Sequence, residues 1–239
     1  MISDALLSTV LVEMLAHAER DFPRESCGLL VVVKGRCRYL PCRNIAERNE
    51  HFVLNPDDYG AAEDKGEVVA VVHSHCNLPP IPSQADLVGC EKSGVPWIIV
   101  SWPTAQVKQI EPSGYVAPLY GREFSHGILD CYSLIRDYYL QNLNIQMSDY
   151  ARDDEWWLKA QNLYLDNFEE EGFVVVNGQP EVHDLFLMQM MSAVPNHAAV
   201  YVGDGLILHH AAGRLSSRDV YGGWYQKITT HQLRHRSLL

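Results

Sequence analysis

The sequence predicts two domains in series, an α/β domain followed by an α+β domain, and three observations predict them. The chain has 239 residues, more than the roughly 100 to 150 of a usual single domain. Its first half alternates helix and strand signals, whereas its second half gives helices and then a run of strands. Between them, the stretch from Ile110 to Tyr120 holds Pro112, Gly114 and Pro118 with little periodicity, and Gly121 follows directly. That composition places the boundary there, with domains at residues 1–112 and 113–239.

The elements follow in order. MISDALLSTVLVEMLAHAERDF reads as an amphipathic helix ending near Phe22-Pro23, and CGLLVVV with CRYLPC as a hairpin around Lys34-Gly35. NPDDYGAAEDKG gives a capped helix, VVAVVHSH a buried strand, SQADLVGCEKSG a second capped helix and PWIIVSWP another buried strand. In the second half, DCYSLIRDYYLQNL reads as a helix and DDEWWLKAQNLYLDNFEEEG as more helix, closed by Gly172. FVVV, LFLMQM, HAAVYV and LILHH then read as strands.

Composition narrows the function. Hydrophobic residues make up 47% and charged residues 21%, so the chain can bury real cores. The formal net charge of -11 argues against non-specific binding to nucleic acid or an anionic membrane surface, which needs clustered Lys and Arg. The N-terminus lacks a basic leader and carries Asp4 and Glu13 within its apolar stretch, and no run approaches the roughly 20 apolar residues of a membrane span. Synthesis and folding in a cytoplasm are therefore expected. The six cysteines form no CxxC pair and read as reduced thiols, five of them structural and Cys131 the exception.

Residues 73 to 86 read HSHCNLPPIPSQAD behind the strand VVAVV. In a strand, His73 and His75 point to one face, and Asp86, in the first turn of the next helix, can return a carboxylate to the same metal. A His-x-His at a strand end is often only packing or a solvated turn. Two neutral nitrogens and a carboxylate with a fourth position left to water, however, form a catalytic zinc set, not a closed structural one. Glu25, in PRESCGLL, is the candidate to move a proton from water to a leaving amine, and Ser83 can donate a hydrogen bond to the oxyanion.

The second constellation lies in GREFSHGILDCYSLIRDYY. Asp130 as N-cap puts Cys131 at a helix start, where free backbone amides favour a thiolate. A cysteine beside an apolar helix is otherwise a small buried hydrophobe. His197, in PNHAAVYVGDGLILHH, is the candidate base. A hairpin centred on Asp204 would set His209 opposite Ala199, on the face of His197 and diagonal to it, so that His209 fixes the base while His210 faces away.

The spacing of Glu25, His73, His75, Ser83 and Asp86 resembles the JAMM signature of JAB/MPN-domain metallopeptidases over residues from about 5 to 110. That resemblance implies a cytidine-deaminase-like α/β fold and Zn2+. The residue after the second histidine is commonly proline in that family and is Cys76 here, which should face away from the metal. From about 118 to 239 the chain resembles the NlpC-type, papain-like cell-wall peptidases through Cys131, His197 and His209. Tyr120 stands where that family often has a tyrosine that helps hold the oxyanion. In EVHDLFLM, His183 replaces the glycine that usually precedes Asp184.

The order of the two domains, with ESCGLL, VVHSH, DCYSLIRDYY, WWLKAQNLYLDN and VPNHAAVY, is similar to a family of tail-tip assembly proteins of phages with long, non-contractile tails. The resemblance implies synthesis in the host cytoplasm, other tail-tip proteins as partners, placement at the virion tail tip, and cleavage of peptidoglycan stem peptides in the host periplasm or cell wall. The zinc site would act on a tail or isopeptide-like protein substrate. Two other readings stay open: a structural tail-assembly factor with vestigial sites, and a cellular protein-processing peptidase.

Overall fold

The structure, a computed structural model, describes residues 3–47, 49, 51–159 and 161–239. Met1 and Ile2 of the expected first helix and Ala160 of the expected second helical stretch lie outside the described residues. The chain divides into two compact units, Met1–Val116 and Ala117–Leu239.

In the first unit, helix α1 (Asp4–Asp21) is capped by Ser3. Strands β1 (Cys27–Val33) and β2 (Arg36–Cys42) form the expected hairpin, with Lys34 and Gly35 at positive φ. Helix α2 (Pro56–Glu63) starts at its Asn55 cap. Then come β3 (Glu67–Cys76), α3 (Gln84–Ser93), β4 (Trp97–Trp102) and β5 (Val107–Ile110). The sheet runs β2-β1-β3-β4-β5, with β3 and β4 parallel and the other neighbours antiparallel. The strand period of two sorts the core. Leu30, Ala70, Val72, Ile98 and Val100 meet Val10 and Met14 of α1 on one face. Cys27, Leu29, Val31, Val71 and Trp97 meet Ala62 of α2 and Cys90 of α3 on the other. His73 and His75 continue the parity of Val71 and so belong to the α2–α3 face.

In the second unit, helix α4 (Cys131–Leu143) is capped by Asp130 and closed by Asn144 in the left-handed region. The long helix expected over residues 153–172 is not formed. A 3-10 turn at Trp156–Leu158 and a short helix α5 (Leu163–Asn167) stand in its place. A continuous helix would separate Trp156 and Tyr164 by ~12 Å along its axis; their rings lie 6.0 Å apart. Tyr164, Leu165 and Phe168 instead dock one by one on the cluster built around α4.

Strands β6 (Phe173–Val175), β7 (Leu185–Met188), β8 (His197–Gly203), β9 (Leu206–His209) and β10 (Ser217–Val220) follow. Helix α6 (Trp224–Ile228) and β11 (Thr229–His235) complete the unit. The antiparallel sheet runs β10-β9-β8-β7-β11-β6. One face, with Leu185, Leu187, Ala198, Val200 and Leu208, packs on α4. The other, with Phe186, Met188, Ala199 and Ile207, is covered by Tyr221, Tyr225 and Ile228. The turn where His183 replaces glycine is made with the histidine itself at φ 80. Asp184 beyond it is fully buried and accepts from Arg234 at 2.7 Å. Among the described residues, no helix is long and apolar enough to cross a membrane.

Candidate functional site

Each unit gathers a polar cluster, His73, His75 and Asp86 in the first and His197, His209 and Asp219 in the second. At the end of β3 the strand period turns the rings of His73 and His75 to one side, their Nε2 atoms 3.2 Å apart. Asp86 reaches them with both oxygens, Oδ1 3.2 Å from His73 Nε2 and Oδ2 3.4 Å from His75 Nε2. Ser83 and Asp86 close a capping box at the start of α3: the Ser83 hydroxyl accepts from the Asp86 amide at 3.1 Å, and Asp86 Oδ2 accepts from the Ser83 amide at 2.8 Å. Ser83 therefore aims the carboxylate and keeps its own hydroxyl proton for another acceptor. His73 is held by Phe52, stacked at 4.7 Å, and by Trp97, edge-on at 5.5 Å.

These donors fit a cation. The Pro79 carbonyl, 3.0 Å from His75 Nδ1, fixes the proton on that nitrogen and leaves the Nε2 lone pair facing His73 and Asp86. All three residues are buried, and their ligand atoms lie within 4.8 Å of one another. The cluster draws positive charge. Burial works against a charged His75, yet Asp86, the Pro79 carbonyl and the nearby Glu25 raise its pKa. Burial likewise works against a charged Asp86, but the two histidines hold its carboxyl well below the usual carboxylate range.

Glu25, also buried, is placed by the antiparallel pairing of β1 and β3. Cys27 pairs with His73, and Ser26 and Ser74 exchange hydrogen bonds, so Glu25 runs alongside His75. Cys76 turns the other way and donates to the Arg24 carbonyl at 3.3 Å.

In the second unit, Asp130 accepts from the Ser133 amide at 2.9 Å, from the Gly127 amide at 3.0 Å and from Arg152 Nε at 2.7 Å. This fixes Cys131 as the first residue of α4. The hairpin register is the expected one, His209 facing Ala199. It brings His209 Nδ1 to 3.0 Å from His197 Nε2. His210 points away, buried with its ring 5.1 Å from that of Phe124 and neither ring nitrogen bonded.

Three features depart from expectation. Tyr120 is not at the thiol: it is half exposed, its ring under the Arg218 guanidinium at 5.3 Å. The phenol at Cys131 Sγ is that of Tyr164, 3.2 Å away. The thiol is also not set up as a thiolate. Burial and the charge of Asp130 push it up to about 11, which outweighs the helix terminus, while burial beside His209 and His210 pushes His197 down to about 3. At rest the thiol and the imidazole are thus both neutral.

The third is a continuation beyond His209. Its Nε2 lies 3.1 Å from Asp219 Oδ2 on β10, and the Tyr225 hydroxyl donates to the same oxygen at 2.7 Å. Neither residue was singled out from sequence. The available signal in sequence is the short polar run SRDV beside the hairpin, which fits an edge strand.

Known families match each of the two units. A family described as prokaryotic homologs of the JAB domain matches residues 7–111, and the NlpC/P60 family matches residues 121–234. Tail tip assembly protein K of Escherichia phage N15 is 41% identical over 231 residues, covering 94% of this chain and 93% of that one. The protein of that name from Escherichia phage lambda is 42% identical over 185 residues, covering 77% of this chain and 90% of that one. The CysO-cysteine peptidase of Mycobacterium tuberculosis is 35% identical over 97 residues, covering 37% of this chain and 66% of that one. Similarity over nearly the whole length, with a JAB domain preceding an NlpC/P60 domain, means that the chain belongs to the family of tail tip assembly protein K.

Proposed function

We propose that this chain is a tail-tip peptidase with two active sites that associates with other tail proteins in the virion. Its Cys131 site opens peptide stems of peptidoglycan during entry into the host. Its His73–His75–Asp86 site binds zinc and hydrolyses an amide or isopeptide bond in a protein, a tail protein being the substrate nearest to hand during assembly. The observation that supports this best is the His197–His209 pair, buried and bonded at 3.0 Å in a domain whose helix starts at Cys131.

At the first site, the Cys131 proton passes to His197 as the sulfur attacks the scissile carbonyl. The resting thiol lies on Tyr164, so it must exchange that partner for His197. The Tyr164 phenol, raised well above its ordinary range by burial, stays protonated and can donate to the oxyanion. His197 returns the proton to the leaving amine, and water then hydrolyses the thioester with the same base.

At the second site, His73, His75 and Asp86 would hold zinc, which supplies a Lewis acid and lowers the pKa of water. Glu25 takes the proton of the attacking water and passes it to the leaving amine, and the Ser83 hydroxyl donates to the oxyanion.

Digestion of purified peptidoglycan by wild type, Cys131→Ala and His73→Ala tests the assignment. Soluble stem-peptide fragments from wild type and His73→Ala, and none from Cys131→Ala, are expected. Equal release by wild type and Cys131→Ala would refute it.

A further inference from the structure

The C-terminal site does not end at its second histidine. A single line of hydrogen bonds runs from His197 Nε2 to His209 Nδ1 at 3.0 Å and from His209 Nε2 to Asp219 Oδ2 at 3.1 Å. Asp219 lies on the edge strand β10, where Ser217 of the same strand pairs with His209. Its Oδ2 also accepts from the Tyr225 hydroxyl at 2.7 Å and from Arg214 Nη1 at 3.3 Å, and Ser217 Oγ lies 3.5 Å from Oδ1. The Tyr225 ring stands edge-on to His209 at 5.1 Å. Three groups thus hold one carboxylate on a ring nitrogen two residues removed from the nucleophile. We propose that Asp219 is a positioning residue that sets the proton arrangement of both histidines, and so decides which nitrogen of His197 acts as base.

The direction of every bond in the line follows from its last member. A carboxylate surrounded by a guanidinium, a phenol and an imidazole N–H remains ionised and only accepts. The proton of His209 therefore sits on Nε2, and the Nδ1 of a neutral His209 is a lone pair. Only His197 Nε2–H can satisfy that lone pair, which leaves His197 Nδ1 unprotonated. The Cys131 sulfur lies on the Tyr164 hydroxyl at 3.2 Å and is also reached by the β8 amide of Ala198, one residue along from His197. When the Cys131 proton moves to His197 Nδ1, the imidazolium formed is stabilised through His209 by the Asp219 charge. No group in the line has to change place.

Asparagine at 219 can offer its amide N–H to His209 Nε2 instead of accepting from it. His209 would then carry its proton on Nδ1, facing Nε2–H of His197, and the clash would push the His197 proton onto Nδ1, the base position. The same logic makes an acid-to-amide change costly in triads with one histidine. With a second histidine intervening, a loss of about 10- to 100-fold is expected.

The test rests on the proposed peptidase reading but separates from it. In the full chain, long-range proton–nitrogen NMR of the imidazoles reads the tautomers directly. Wild type should show protonated Nε2 in both His197 and His209. Asp219→Asn should move protons onto Nδ1, Asp219→Ala should give a mixture, and Asp219→Glu should restore much of the wild-type pattern. Release of peptidoglycan fragments by Asp219→Asn should fall about 10- to 100-fold in kcat with KM little changed. Wild-type tautomers in both Asp219→Asn and Asp219→Ala, or an unchanged kcat, would overturn the proposal. Shifted tautomers in a chain whose wild type cuts no peptidoglycan would uphold the positioning role and remove the substrate assignment.

Discussion

Replacing Asp130 separates two jobs that one carboxylate performs. It caps α4 through the Ser133 amide and neutralises Arg152 at 2.7 Å, both side chains being almost wholly buried. Asparagine keeps a capping oxygen, and caps of the two residues are of similar strength. What it removes is the anion. Breaking one side of a buried pair costs about 3–5 kcal/mol. Arg152 still donates to the Gly127 and Tyr150 carbonyls and lies 3.5 Å from the partly exposed Asp149, which places the cost near the lower end. We therefore expect about 3 kcal/mol for Asp130→Asn and about 4 kcal/mol for Asp130→Ala, the difference being the lost cap. Against a total of about 5–15 kcal/mol, either loss is large.

Urea unfolding followed by tryptophan fluorescence measures both. Asp130→Asn with Arg152→Met should recover part of the loss, because the stranded charge is gone. The pH dependence has a fixed sign. Burial opposes the Asp130 charge, but Arg152 and the Ser133 amide hold its carboxyl below its ordinary value. Its contribution is present above the unfolded value of about 3.9 and is lost as pH falls below that. An Asp130→Asn protein within about 0.5 kcal/mol of wild type would refute the reasoning, since that is the scatter of ordinary surface changes.

Two further expectations concern chemistry. Protein purified without chelator should contain about one zinc per chain by elemental analysis; His75→Ala should lose it, and Glu25→Gln should keep it while losing any metallopeptidase activity. Unchanged zinc in His75→Ala, or loss of zinc in Glu25→Gln, would reassign the ligands. For Cys131, a thiol pushed up to about 11 is protonated at neutral pH. Alkylation by iodoacetamide, read by mass spectrometry, should therefore rise about tenfold per pH unit between about 7 and 10. A plateau already reached near pH 6 would mean a resting thiolate.

Much of this was legible in the sequence because it depends on local periods. His73 and His75 share a face through the strand period, and Ser83 and Asp86 meet through the three-residue capping spacing. His197 and His209 meet through the count across one hairpin. The misses depend on distant chain segments. Tyr164 sits in a stretch whose composition reads as one continuous helix, and only its docking against α4 breaks that helix. Asp219 and Tyr225 lie on a polar edge strand and a five-residue helix, where hydrophobic periodicity carries little signal. The thiol departs from its expected state because the helix terminus is visible in sequence. The burial of Cys131 is not, nor is the weight of the neighbouring Asp130 charge.

The β8–β9 hairpin carries a rule of parity. The turn through Gly203, Asp204 and Gly205, all at positive φ, fixes how many residues separate His197 from the position opposite Ala199. Removing one residue there would carry His210 into that position and send His209 to the opposite face. The substituted histidine would come without the alignment that joins His209 to Asp219. A change in the length of this turn that is carried into the pairing therefore parts His209 from His197 either way, an odd step by turning it to the opposite face and a step of two by sliding it roughly 7 Å along the strand.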